Sequence, residues 1–306
     1  MPPGADDRLF VAITADVDPD ANRACPGRPD AVSPGAGDTA TFDACFEGLG
    51  ILLDALDEHG LPATLFWEGR TLEELAGRRP DLLARLADTP SLEHGAHAYR
   101  HEDFAGTVSG LPLDAAQTAD AVARAGAAVR DAFGAEPAGF RAPYCRLTGQ
   151  LLRALADAGY AYDASTTHML SPAWGLRPLR MSYELRLHEL ALCRSTDARG
   201  RPISCYLWQL CEGNRTVDDY VHLLRSAREC GPGGLLQIAL HPWHLVVSAE
   251  GRPLGDAPLR ELRALLTRIL AEDGVAFTTT GAYLARAMRA RGERTSGELR
   301  TRGLPE

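Results

Sequence analysis

Five short polar clusters carry side chains that could do chemistry. Asp16-Val17-Asp18 follows directly on the apolar run that spans residues 9–14. Side chains alternate along a strand, so Asp16 and Asp18 point the same way. Two carboxylates held together repel each other unless a cation or an arginine offsets them. His94, His97 and His101 lie within eight residues, a third of the nine histidines in the chain. His97-Ala98-Tyr99-Arg100-His101 has the spacing that one helical turn would bring to one face, where two imidazoles share a metal ion. His94, three residues before His97, offers an alternative pair. A third ligand is then needed, and the aspartate pair supplies a candidate. Two histidines and one carboxylate with open positions make a hydrolytic metal site. The same donors also serve non-haem iron oxygenases.

The remaining clusters fit around such a site. Arg141, in Phe140-Arg141-Ala142-Pro143-Tyr144, could hold a carboxylate bidentately or form a structural ion pair. Tyr162-Asp163-Ala164-Ser165 reads by itself as an ordinary turn. His241, in Leu240-His241-Pro242-Trp243-His244, follows a strongly apolar run. That places it for acid–base work near neutrality, or as a satisfied buried histidine. His59, His168, His188 and His222 have no comparable setting and read as structural.

These clusters need elements to position them. Apolar residues at Phe42, Cys45, Phe46, Leu49, Leu52, Leu53 and Leu56 recur at spacings of three and four, which predicts a helix over 41–59 with Gly60 as its stop. Further helices are expected over 72–87, interrupted at Pro80, and over 114–133, 148–158 capped by Thr148, 216–229, 256–272 opened by Asp256 and Pro258, and the last one to about 291. Short strands are expected at 9–14, 63–67, 139–141, 160–162, 235–240 and 275–279. The stretch 166–215 carries the weakest pattern and reads as strands and loops. Repeated strand–helix units imply parallel strands with helices outside. No linker divides the chain, so the expected fold is a single α/β domain, a distorted or incomplete (β/α) barrel of about seven strands. Chemistry gathers at the strand ends of such barrels, where the five clusters fall. Residues 19–40, with four Pro and three Gly, form a long lid-like insertion after the first strand. Residues 292–306 read as a polar, disordered tail.

Composition narrows the function classes. Among 306 residues, 41 are Asp or Glu and 32 are Lys or Arg, a net charge of -9. That balance argues against a nucleic-acid partner. All the basic residues are arginine. The absence of lysine excludes Schiff-base, pyridoxal and P-loop chemistry and itself reads as codon usage in a GC-rich bacterial genome. Seven cysteines without a Cys-x-x-Cys pair point to reduced thiols in a cytoplasmic protein. Neither a signal peptide nor a run of about 18 apolar residues is seen, so no membrane partner is expected. No motif specifies an oligomeric state.

In their order, the five clusters resemble the motifs of the polysaccharide deacetylase (NodB-homology, carbohydrate esterase 4) superfamily, over about residues 8–290. Asp16-Val17-Asp18 is similar to the first motif in its Asp-x-Asp form, and His97 with His101 to the second. Arg141-Ala142-Pro143-Tyr144 is similar to the third, Asp163-Ala164-Ser165 to the fourth, and Leu240-His241-Pro242-Trp243 to the fifth. The Asp-x-Asp form and the His-Pro-Trp ending resemble the branch acting on small amides and peptidoglycan, allantoinase-like members included. The resemblance implies that Asp18, His97 and His101 bind a divalent metal, Zn²⁺ foremost, with Co²⁺, Ni²⁺, Mn²⁺ or Fe²⁺ as substitutes. It implies Asp16 as general base, His241 as the acid that protonates the leaving amine, and the Tyr144 N–H as oxyanion donor. Arg141 would orient Asp16, and Asp163 would orient His241. Tyr144, Leu240 and Trp243 would contact substrate, and His94 would not be a ligand. The fourth motif lacks the family's downstream Trp; Thr166-Thr167-His168-Met169 follows instead. With no secretion signal, that favours a small intracellular amide. The expected activity is metal-dependent hydrolysis of a non-peptide C–N bond, by N-deacetylation or N-deformylation of an amino sugar or metabolite. The alternatives are ring opening of a cyclic amide or imide, and ligand binding without catalysis on the same fold.

Overall fold

In the computed structural model of the chain, residues 7–19, 26–27, 42–171, 176–182 and 186–292 are described. The 19–40 insertion, apart from residues 19, 26 and 27, lies outside the described residues, as does the tail beyond residue 292. The chain opens with β1 (Leu9–Val17), buried at all nine positions. An uninterrupted apolar run is what a parallel strand covered on both faces requires. Period two then sorts its side chains. Leu9, Val11, Ile13, Ala15 and Val17 join the core under the helices, whereas Phe10 and Ala12 join a second core inside the curve of the sheet. The same alternation carries Thr14 and Asp16 inward, where both meet Arg141.

Helix α1 (Phe42–His59) buries Cys45, Phe46, Leu49, Leu52, Leu53 and Leu56, the face expected from their spacing. β2 (Ala63–Trp67) leads into α2 (Gly69–Arg78) and α3 (Pro80–Ala87), which are separate helices because proline cannot continue the first and opens the second. β3 (Leu92–Ala96), α4 (Ala115–Phe133), β4 (Gly139–Phe140), α5 (Gly149–Ala158) and β5 (Tyr162–Asp163) continue the alternation. Thr148 caps α5, accepting the Leu151 N–H at 3.1 Å. The weakly patterned stretch holds β6 (Thr167–Met169), β7 (Leu179–Ser182), β8 (Leu187–Glu189), β9 (Leu192–Thr196) and β10 (Pro202–Ser204). Then come α6 (Trp208–Cys211), α7 (Val217–Glu229), β11 (Leu235–Leu240), α8 (Ala257–Leu270), β12 (Val275–Phe277) and α9 (Thr280–Ala290). Asp256 does precede α8, but its side chain makes no capping bond; its own helical backbone angles take it out of the extended geometry a capping residue needs.

The main sheet runs β11–β1–β2–β3–β4–β5–β8–β7, with β12 beside the start of β1. All neighbours in that row are parallel except β7 and β8. It is a curled, open half-barrel, as expected of an incomplete (β/α) barrel. A small sheet, β10–β9–β6, stands apart from it. The residue after its neighbour Cys205, Tyr206, bridges to Ala239 of β11.

The lower end of the half-barrel is tied by Glu93 on β3. Its carboxylate accepts from the hydroxyls of Thr64 (3.0 Å), Tyr162 (2.8 Å) and Thr280 (3.2 Å) and from the Gly281 N–H (2.8 Å). The last lies in the first turn of α9, where a negative charge is favoured. The upper end, where the parallel strands finish, carries the polar clusters.

Candidate active site

Asp16 is the next-to-last residue of β1, Asp18 the first beyond it, and both are buried. His97 immediately follows β3 and His101 lies four residues on. The connection is not a helical turn. Ala98 (φ 64°) and His101 (φ 53°) are left-handed, so the loop doubles back and brings the rings within 5.0 Å, centroid to centroid. Left-handed backbone in non-glycine residues is strained and persists only where surrounding contacts fix it. Here the Glu102 carboxylate accepts from the N–H groups of Tyr99 (3.0 Å) and Arg100 (2.9 Å). The Ala98 and Tyr99 carbonyls accept from Gly69 and Arg70 at the start of α2. Tyr144 (φ 57°) and Cys145 (φ 53°) are left-handed too, so four of the five such residues among those described belong to the two loops at this site.

Asp18, His97 and His101 offer donor atoms that lie within 4.8 Å of one another. Asp18 Oδ1, His97 Nε2 and His101 Nδ1 are buried and have no hydrogen-bond partner. His97 Nδ1 lies 2.7 Å from the Arg141 carbonyl, so that nitrogen donates and Nε2 presents its lone pair. Burial lowers the His97 pKa to about 4, keeping the ring neutral, as a ligand must be. Burial would raise Asp18, but His241 and His101 outweigh it and hold it below the usual carboxylate range. His101 turns its Nε2 to Asp18 Oδ2 at 3.2 Å, and two neutral-capable imidazoles with a carboxylate at this spacing, two of whose facing atoms have no partner, fit a divalent cation. His94 is not among them. It faces away, accepts from Trp67 Nε1 at 3.0 Å and stacks on Phe133.

Asp16 sits beside this cluster. Arg141 Nη1 donates to its Oδ1 at 2.7 Å. The fully buried guanidinium also reaches Thr14 Oγ1, Gln237 Oε1 and the Ala164 carbonyl. Burial opposes ionisation of Asp16, yet Arg141, His97 and His241 together bring its pKa to about 2. The carboxylate is therefore charged throughout the neutral range. His241 Nε2 lies 4.0 Å from Asp16 Oδ2.

Two expected site residues point elsewhere. Asp163 does not reach His241. Its neighbour in register is Phe140, which packs under the helices, and Asp163 shares that outward face. Its carboxylate accepts from the Ser165 N–H (2.9 Å) and Oγ–H (2.7 Å), and Ser165 Oγ accepts from the Ala142 N–H (2.7 Å). Asp163 thus braces the loop carrying Tyr144. Leu240 does not contact the cavity either. Adjacent strand positions face opposite ways, so with His241 inward Leu240 packs into the helix-side core, fully buried.

A cavity of ≈ 440 Å³ opens over these groups. Asp16, Asp18, His97, His101 and His241 form its polar floor; Tyr144, Tyr206, Trp208 and Trp243 stand around them. Sequence reasoning missed Tyr206 and Trp208, which fall in the stretch without periodicity. The only signal there was an aromatic pair, Tyr206 and Trp208, in otherwise mixed sequence.

The molecule is thus an open parallel half-barrel with a His, His, Asp cluster, able to hold a metal ion, at the mouth where its strands end. Residues 39–162 match the polysaccharide deacetylase family model, which bears out the resemblance carried by the motifs. No curated protein matches the sequence. Among solved structures, one from Mycobacterium smegmatis named as a polysaccharide deacetylase is 22% identical, with a TM-score of 0.68 over 100% of this chain and 96% of that one. The PuuE allantoinase is 17% identical, with a TM-score of 0.62 over 94% and 92%. A CE4 family pseudoenzyme from Bacillus anthracis is 15% identical, with a TM-score of 0.51 over 91% and 66%. These likenesses are of fold.

Proposed function

We propose that the chain is a metal-dependent amidohydrolase that removes an acyl group, acetyl or formyl, from the nitrogen of a small molecule. One observation carries the reading. Asp18, His97 and His101 bring buried ligand atoms within 4.8 Å of one another, beside an ionised aspartate and a histidine and under a cavity open to a ligand. Asp18, His97 and His101 would hold the cation, with zinc as the first choice for two imidazoles and a carboxylate. A divalent cation there supplies Lewis-acid polarisation of an amide carbonyl and acidification of water.

The chain's own groups supply the rest. Asp16, kept charged by Arg141, takes the proton of the attacking water through Oδ2. His241, entering the step protonated, gives that proton to the departing amine nitrogen as the C–N bond breaks, and the proton taken up by Asp16 then replaces it, leaving free acid and neutral amine. The Tyr144 backbone N–H is the proposed donor to the oxygen that gains charge. Trp208, Trp243 and Tyr144 offer flat apolar walls, suited to a sugar face or a small ring. A cavity of ≈ 440 Å³ suits a ligand of that size. None of the six described cysteines is in a disulfide.

The test begins with the metal. Purified protein should hold about one divalent ion per chain, and the His97→Ala/His101→Ala double variant should hold none. Loaded wild type is then assayed on N-acetyl and N-formyl amines and on cyclic imides. Separate acid and amine products mark deacylation, whereas a single product marks ring opening. A wild-type chain that binds no divalent ion when supplied with it, or hydrolyses no amide when loaded, would sink the reading.

A further inference from the structure

We propose that Tyr206 is a positioning residue of the active centre, acting through Asp16. Its hydroxyl donates to Asp16 Oδ2 at 2.8 Å. Arg141 already holds Oδ1, so the two donors together fix the plane of the carboxylate. The oxygen that Tyr206 holds is the one nearest His241, at 4.0 Å. The Tyr206 ring also lies nearly parallel to the His241 imidazole, at 18° with centroids 5.7 Å apart. One side chain therefore touches both groups assigned to proton transfer. This role rests on the amide-hydrolase reading above.

The hydroxyl is held in place from both sides. The Ala239 N–H donates to the Cys205 carbonyl (3.0 Å), and the Leu207 N–H donates to the Ala239 carbonyl (2.8 Å). Tyr206 is thereby laced to β11 two residues before His241. Tyr220 Oη donates to the Tyr206 carbonyl at 2.6 Å. The phenol has one proton and gives it to Asp16, so the Cys145 thiol, 3.4 Å away, is the donor to Tyr206 Oη. The result is a directed chain from Cys145 through Tyr206 to Asp16. Without the hydroxyl, Asp16 Oδ2 loses its fixed partner in a buried place, and the carboxylate is free to turn away from the reacting water.

The experiment uses full-length Y206F, which removes one oxygen and keeps the ring. Crystal structures of wild type and Y206F report the Asp16 carboxylate directly, whether or not any substrate is known. The expected result is one orientation in wild type and a rotated or split carboxylate in the variant. On an amide that wild type hydrolyses, kcat should fall about 10- to 100-fold, with KM within about twofold and metal content unchanged. An unmoved carboxylate overturns the proposal. So does unchanged kcat, or a rise in KM alone, which would make Tyr206 a wall of the substrate cavity. If wild type hydrolyses no amide, the hydrolase reading fails by itself, and the carboxylate orientation still decides the role of Tyr206. If Y206F does not accumulate as folded protein, whole-protein fluorotyrosine labelling and the ¹⁹F shift of the Tyr206 signal on Asp16→Asn replacement decide it; no shift overturns the proposal.

Discussion

At the residue scale, two fully buried carboxyl groups of the main sheet are shifted in opposite directions. Asp16 and Asp163 are both fully buried, yet Asp16 is brought to about 2 while burial raises Asp163 to about 7. The difference is the partner: a guanidinium for Asp16, the hydroxyl and amide of Ser165 for Asp163. Replacing Asp16 with Asn keeps the shape and removes the base. We expect kcat to fall by about 10²- to 10⁴-fold while the metal content stays, read by steady-state kinetics beside elemental analysis. For Asp163 the sign follows from linkage. The folded state binds its proton up to about pH 7, whereas the unfolded chain releases it near pH 4. Between those values the unfolded state holds fewer protons, so stability falls as pH rises, by up to about 1.4 kcal/mol per pH unit. Above the folded value the loss is complete. Asp163→Asn should abolish this slope, so denaturant melts of wild type and variant should diverge from pH 4 to pH 7 and then run parallel. A constant difference across that range would refute the buried neutral acid.

At the element scale, function rests on how closely a helix approaches a turn. Gly48 lies in the middle of α1, where a Cβ would stand 1.9 Å from the Pro242 carbonyl oxygen. The missing side chain lets α1 pack directly against the short turn that carries Pro242, Trp243 and His244, one residue beyond His241. Gly48→Ala must push the turn or the helix away, and neither is a flexible side-chain end. We expect a destabilisation of about 2 kcal/mol or more, typical of overpacking, together with a loss of kcat because His241 and Trp243 move with the turn. Thermal melts and kinetics on one preparation check both. Full activity in Gly48→Ala would show that the turn tolerates the shift. The α1 helix was legible from its apolar period, and its glycine was not, because the need for it arises from a chain segment almost two hundred residues away.

At the scale of the whole molecule, the two ends of the half-barrel divide the work. The upper end holds orphaned polar atoms and left-handed loops. The lower end is tied together by Glu93, which joins β2, β3, β5 and the start of α9. Removing Glu93 strands several donors at once. Glu93→Ala should therefore cost on the order of 3 kcal/mol or more, seen as a lower melting temperature. Metal content and KM, measured well below that temperature, should be unchanged. A loss of metal binding in the folded variant would contradict this separation. No described helix is long and apolar enough to cross a membrane.

The residue types and their order along the chain determined the parallel α/β architecture, the Asp, His and Arg set, and the ends of most helices. Those features are local: period, proline, glycine and capping residues act within a few positions. Tertiary structure alone decided how the donors converge. The His97–His101 pair meets through a strained loop rather than a helical turn, held by Glu102 and the start of α2. Alternation along β5 and β11 sent Asp163 and Leu240 to the outer face, because which face of a strand turns inward is set by the sheet around it. Tyr206 entered the site from an unpatterned stretch, because its position is set by hydrogen bonds to β11, and pairing between distant segments leaves no periodic trace in either one.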